Sequence, residues 1–137
     1  MVPKDNILLI TKDKTEEEDV VIAKKDASIN MPIVVLVNEY SASASEILAG
    51  ILKEDINATL IGNTTYGKGV IQTVYPLKDG SGLKITTDEY YTPNHNKINK
   101  VGIEPTIKVE ISEELRQITN LPLEQDIQLQ KAIEELK

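Results

Sequence analysis

The run Pro32-Ile33-Val34-Val35-Leu36-Val37-Asn38-Glu39-Tyr40-Ser41-Ala42-Ser43-Ala44-Ser45-Glu46 constrains this chain more than any other. Apolar, mostly β-branched residues after a proline predict a strand over 33–37 that is covered on both faces, the central strand of a largely parallel sheet. A turn of small residues then leads into a helix, because Ala44, Ile47, Leu48, Ile51 and Leu52 recur at helical spacing while Glu46, Lys53 and Glu54 fall outside that stripe. A serine hydroxyl at such a turn is exposed and sits in a positive field. The first helical N–H groups have no intrahelical partner, and the helix dipole favours negative charge developing beside them. Downstream, Tyr66-Gly67-Lys68-Gly69-Val70-Ile71-Gln72 sets a lysine between two glycines, and the two segments together read as a Ser/Lys hydrolase.

The remaining chain supplies an α/β framework. Ile7–Ile10 and Val20–Ala23 predict strands, with the acidic cluster Glu16-Glu17-Glu18-Asp19 in a solvated loop between them. That cluster lacks the alternating spacing and glycine of a calcium loop. Ala58–Gly62 predicts a strand returning to the sheet through a right-handed crossover. Val70–Leu77 and Leu83–Tyr91 alternate with period two around Lys78-Asp79-Gly80-Ser81-Gly82, which predicts a hairpin. Gly102-Ile103-Glu104-Pro105 turns the chain into an edge strand at 107–111, and a last helix is expected from Pro122 to the end.

With 137 residues, 40% hydrophobic and 27% charged, the chain has the size and composition of one globular domain. Its net charge of −7, with no basic run, argues against nucleic acid or an anionic membrane as partner. The absence of cysteine removes thiolate zinc sites and cysteine nucleophiles, and with a single histidine, His95, a zinc centre is disfavoured. No cofactor is implied. His95 lies in a polar loop far in the chain from Ser43, which disfavours a Ser-His-Asp triad. No apolar run is long enough to span a membrane, and Met1-Val2-Pro3-Lys4 is unlike the start of a signal peptide.

Each candidate residue has a plainer role beside the chemical one. Ser43-Ala44-Ser45-Glu46 fits a capping box, and serine before a helix is usually only a cap. The small neighbours Ala42 and Ala44 favour an open site instead. Lys68 in a Gly-Lys-Gly turn is most often a solvated charge, and Gly62 to Lys68 begins like a phosphate-binding loop. That pattern fails at Gly69, where a hydroxyl should stand, and the residues after it read as strand where a helix is required. As a general base, Lys68 needs burial to lower its pKa from about 10.4 towards neutrality. Gln72 has the amide oxygen to orient it, although four residues of flat strand span about 13 Å, so the contact requires a bend at Gly69 or an inward-reaching Lys68. Two readings follow: a Ser/Lys hydrolase, or a non-catalytic protein-binding module in which Ser43 is only a helix cap.

Most of the chain resembles the C-terminal half of the catalytic domain of carboxyl-terminal processing peptidases, the tail-specific serine proteases of peptidase family S41. The resemblance rests on 35–47, on Gly67-Lys68-Gly69-x-x-Gln72, on 83–93 with its Leu-Lys-Ile-Thr-Thr and Tyr-Tyr-Thr-Pro, and on Gly102-Ile103-Glu104-Pro105, where Thr106 replaces the usual aspartate. It implies an α/β fold related to the ClpP/crotonase spiral, here a partial domain with a mixed sheet, one central amphipathic helix and a C-terminal helix. It implies that Ser43 is the nucleophile, Lys68 the general base, Gln72 the residue orienting the lysine and the Ala44 N–H one oxyanion donor. Protein C-termini are the implied substrates, and the implied location is outside the cytoplasmic membrane. Residues 1–137 are then expected to be the C-terminal part of the catalytic domain, with the PDZ domain and the segment carrying the second oxyanion donor outside it. Such a piece is expected to be inactive alone, and its uncovered surface leaves room for self-association.

Overall fold

The strands divide between two sheets that meet at one helix. The computed structural model describes residues 1–118 and 120–137. Its elements are β1 (Ile7–Asp13), β2 (Glu18–Ile22), β3 (Val34–Val37), α1 (Ala44–Asp55), β4 (Thr59–Gly62), β5 (Val70–Pro76), β6 (Gly82–Tyr91), β7 (Ile107–Lys108), α2 (Glu113–Arg116) and α3 (Ile127–Glu135). One sheet has the order β3-β4-β7 and the other β2-β1-β6-β5. The first is parallel, with β3 and β4 paired from Val34 opposite Thr59 to Val37 opposite Gly62. The second is antiparallel. The expected α/β fold therefore forms, with its parallel and antiparallel parts in separate sheets.

Several local expectations change. The apolar run 33–37 predicted a central strand, but β4 is the middle strand and β3 lies at the edge, with Leu36 exposed. Apolar composition reports that a strand is to be covered and does not say by which part of a protein. Glu18 and Asp19, placed in a loop from their charge, open β2, where Lys12 on the neighbouring strand pairs with Glu18 at 2.8 Å. The last helix starts at Ile127, five residues after Pro122. Gln125 and Asp126 turn back onto the Pro122 carbonyl, and the Asp126 side chain then caps α3 by accepting from the Leu129 N–H at 2.9 Å. The short α2 was not anticipated.

The core lies between the sheets. Val37, Leu60, Ala49 of α1, Tyr90 of β6, and Ile98 and Ile103 from the following loop pack into one cluster. Apolar burial here joins both sheets to α1 and to the loop after β6. Away from this junction the β5–β6 hairpin stands exposed, with Val74, Tyr75, Leu77, Leu83 and Ile85 all open to solvent.

The Gly67-Lys68-Gly69 turn is seated against residues 98–102. A Cβ at Gly69 would fall 2.3 Å from the Asn99 backbone nitrogen, so only glycine fits there. Gly80, at the hairpin tip with φ 86°, has nothing within 4 Å of an added Cβ. Gly69→Ala should therefore lower the unfolding free energy by about 1–3 kcal/mol or more through overpacking. Gly80→Ala should cost only the left-handed backbone penalty of about 1–2 kcal/mol, with unchanged core signals. Chemical denaturation followed by near-ultraviolet dichroism compares them, and native tertiary signals in a fully stable Gly69→Ala chain would show that the close seat on Asn99 is not needed.

Candidate active site

Ser43 is the N-cap of α1, but its backbone is not that of an ordinary cap. Its φ of 57° and ψ of −118° lie in a region that residues with a Cβ rarely occupy. Ser112, the cap of α2, has the usual extended geometry at φ −60° and ψ 152°. The Ser43 N–H donates to Glu46 Oε2 at 2.9 Å, the half of the capping box contributed by the glutamate. The serine hydroxyl lies near the Glu46 N–H, which completes the capping-box arrangement, but it makes no cap hydrogen bond; that N–H donates to the Ser43 carbonyl oxygen at 2.9 Å. A sharp, strained turn from strand to helix carries the half-buried hydroxyl, a local geometry like that of the nucleophile elbow in α/β-hydrolases.

Glu46 explains how this turn is held. Sequence periodicity assigns it to the polar side of α1, yet it is fully buried, at 0% exposure. Its Oε1 accepts from the Thr65 hydroxyl and from the Gly67 N–H, each at 2.6 Å, and its Oε2 accepts from the Ser43 N–H and the Lys68 N–H, each at 2.9 Å. The carboxylate therefore bridges the serine turn and the lysine turn directly. Thr65 extends the bridge, since its hydroxyl oxygen accepts from the Ile103 N–H at 2.8 Å. A further link runs from the Tyr66 N–H to the Ser41 carbonyl at 3.0 Å.

Ser43, Ala44, Lys68 and Gln72 line one cleft of about 360 Å³, together with Leu9, Val70 and Tyr90. Ala44 is exposed, and its N–H donates to no group among the described residues, which leaves a donor open at the helix N-terminus. The Lys68 side chain is exposed, and its ammonium makes no hydrogen bond or ion pair among the described residues. Serine and lysine share the cleft without a direct hydrogen bond. Gln72 is exposed on β5 just after a register shift between Ile71 and Gln72, and its amide reaches Thr86 across the hairpin at 3.4 Å. His95 does not line this cleft; it stands on the loop after β6, 3.9 Å from Glu18.

Tyr90 had no role in the sequence reading, although it sits at the back of the same cleft. It is 2% exposed, and its hydroxyl donates to the Lys68 carbonyl oxygen. Burial holds its phenol above the ordinary value near 10; the Glu46 charge adds to this, and a hydrogen bond from the Ser43 side chain opposes it. The Tyr90 group is therefore a neutral donor throughout the physiological range. For Glu46 the capping-box spacing was a usable signal, whereas nothing in the local pattern marked Tyr90 apart from other inward-facing residues of a strand.

Glu46→Ala should remove one acceptor from four donors and cost about 3–5 kcal/mol in urea unfolding. Glu46→Gln, which keeps one carbonyl oxygen, should fall between that variant and the parent. A Glu46→Ala chain within about 0.5 kcal/mol of the parent, the range of ordinary surface changes, would show that the carboxylate holds nothing together.

Comparison with known proteins places this arrangement among relatives. The model of peptidase family S41 matches residues 1–109. The chain is 44% identical over 104 residues to the chloroplastic carboxyl-terminal-processing peptidase 1 of Arabidopsis thaliana, a match covering 76% of the chain and 21% of that protein. It is 39% identical over 130 residues to a carboxyl-terminal-processing protease of Synechocystis sp., covering 95% of the chain and 30% of that protein. Among solved structures, the photosystem II D1 C-terminal processing protease superposes with a TM-score of 0.73 at 37% identity, over 91% of this chain and 31% of that one. The chain thus spans about a fifth to a third of the length of these relatives. By the family match across most of its length, and by relatives of this identity, the chain belongs to peptidase family S41.

Proposed function

We propose that this chain is the nucleophile- and base-bearing part of a serine endopeptidase that processes protein C-termini, with Ser43 as nucleophile and Lys68 as general base. The observation that carries this reading is the strained Ser43 turn, its hydroxyl free of any cap hydrogen bond, in one cleft with Lys68 and tied to the lysine turn through Glu46. A serine serving only as a cap would have the extended backbone seen at Ser112.

In the proposed reaction the neutral Lys68 amine takes the Ser43 proton as Oγ attacks a substrate peptide carbonyl, and the Ala44 N–H donates to the developing oxyanion. The tetrahedral intermediate collapses as Lys68 returns the proton to the leaving amine, which departs as the new N-terminus. Water, deprotonated by Lys68, then hydrolyses the acyl-enzyme and releases the new C-terminus. The exposed Lys68 must turn inward and lose water for this chemistry, and Gln72, on the same wall of the cleft, is the residue proposed to orient it. The second oxyanion donor belongs to residues outside this chain, in keeping with its share of the relatives' length. We place the working enzyme outside the cytoplasmic membrane, in keeping with relatives named as chloroplastic. No helix among the described residues is long and apolar enough to cross a membrane.

In the full-length protein carrying these residues, Ser43→Ala and Lys68→Met should each reduce cleavage of an unfolded protein substrate by about 10³-fold or more. The 137-residue chain alone should show no appreciable cleavage. Parent-like turnover by either variant removes that residue from the mechanism, and turnover by the isolated chain removes the need for a second donor from elsewhere. The isolated chain should also associate through its exposed apolar hairpin. Sedimentation equilibrium reads this as a mass that rises with concentration, and a constant monomer mass excludes it.

A further inference from the structure

Tyr90 belongs to the hydrophobic cluster and has an obvious packing role. Two of its polar contacts go beyond packing, and both concern the lysine turn. Its backbone N–H donates to the Gly69 carbonyl at 3.0 Å, and its hydroxyl donates to the Lys68 carbonyl. Ser43 lines the same cleft as Tyr90 and Lys68. A phenol has one proton to give. Here that proton is committed to the Lys68 carbonyl.

The contacts at Lys68 are complementary. Glu46 takes the Lys68 N–H, and Tyr90 takes the Lys68 carbonyl, so both backbone groups of the residue are fixed while its side chain remains free. The two anchors come from different elements, α1 and β6, and they close around the cleft that holds Ser43. We propose that Tyr90 is a positioning residue of the peptidase site: its hydroxyl fixes the backbone of the lysine turn, and with it the origin from which the Lys68 side chain reaches Ser43 across their shared cleft. This rests on the Ser43/Lys68 reading above. Tyr90 forms no bond with substrate in this role and exchanges no proton with it. Its effect is to keep two reacting groups within the narrow range of geometry that proton transfer and attack require.

A purely structural tyrosine and a positioning tyrosine differ in what the loss of one oxygen does. Tyr90→Phe keeps the ring in the core and leaves the Lys68 carbonyl without its partner. The test uses the full-length protein that carries this chain, with peptide cleavage measured per natively folded molecule and native fraction taken from near-ultraviolet dichroism. Ser43→Ala is assayed in parallel. Tyr90→Phe is expected to lower kcat about 10–100-fold, the scale of a misplacement of about 1 Å, with KM within about twofold of the parent. The rate at which a fluorophosphonate probe phosphonylates Ser43, with loss of fluoride, should fall by a similar factor, which reads serine reactivity without any peptide substrate. A kcat and labelling rate per folded molecule equal to the parent would overturn the proposal, as would a rise in KM with kcat unchanged, which would make Tyr90 a substrate contact. If Ser43→Ala retains full turnover, it is the Ser43/Lys68 reading that falls. If Ser43→Ala is inactive while Tyr90→Phe is unimpaired, only the role given to Tyr90 falls.

Discussion

A single buried carboxylate decides how this region is organised. An ionised side chain taken out of water is tolerated only when its oxygens are fully occupied by donors. Glu46 meets that condition with four, two from the backbone of the lysine turn, one from the Ser43 N–H and one from the Thr65 hydroxyl. Removal of any one segment would leave the charge short of partners, so the serine turn and the lysine turn fold as a unit. The unusual dihedrals of Ser43 fit the same account. A strained backbone persists where its surroundings overdetermine it, and here the residue is held by its N–H on Glu46 and by its carbonyl on the Glu46 and Ile47 N–H groups.

The two sheets give this unit its frame. Parallel β3 and β4 set the direction in which α1 leaves the sheet, while the antiparallel hairpin carries Lys68 at its entry and Tyr90 at its exit. Those two positions sit side by side because β5 and β6 are in register at Val70 and Glu89, which places Gly69 opposite Tyr90. The cleft is thus a property of the junction and not of either sheet. A register slip of one residue in the hairpin would turn Tyr90 to the other face and withdraw its hydroxyl from the Lys68 carbonyl.

How much of this could be read from the residues depended on the range of each interaction. The strand, tight turn and helix around Ser43 are local, and periodicity identified them; the hairpin was equally legible because alternation and a turn cluster coincide there. The grouping of Ser43, Ala44, Lys68 and Gln72 around one cleft followed from matching two motifs together, not from either alone. Glu46 was misassigned because helical periodicity treats a carboxylate as a solvent-facing group, and its donors come from a segment about twenty residues downstream. Tyr90 was passed over for a related reason: its hydroxyl serves a backbone carbonyl in the turn before β5, a contact with no compositional trace. β3 was assigned to the sheet centre because an apolar strand advertises cover without specifying its source.

Rigidity and freedom are divided unequally at Lys68. Its backbone N–H and carbonyl are both bound, yet its ammonium is exposed and unpaired among the described residues. For the proposed role of general base an amine has to be neutral, and a dry cleft favours that form because desolvation penalises an ammonium. What the fold supplies is therefore a fixed origin for the side chain, a cleft shared with Ser43, and an open Ala44 N–H at the start of α1. The remaining requirement is cover. In the proposed reaction, whatever closes the cleft and expels water would act on the Lys68 side chain alone, because its backbone is already bound through Glu46 and Tyr90, so the step from this arrangement to a working site is one of solvation and side-chain placement.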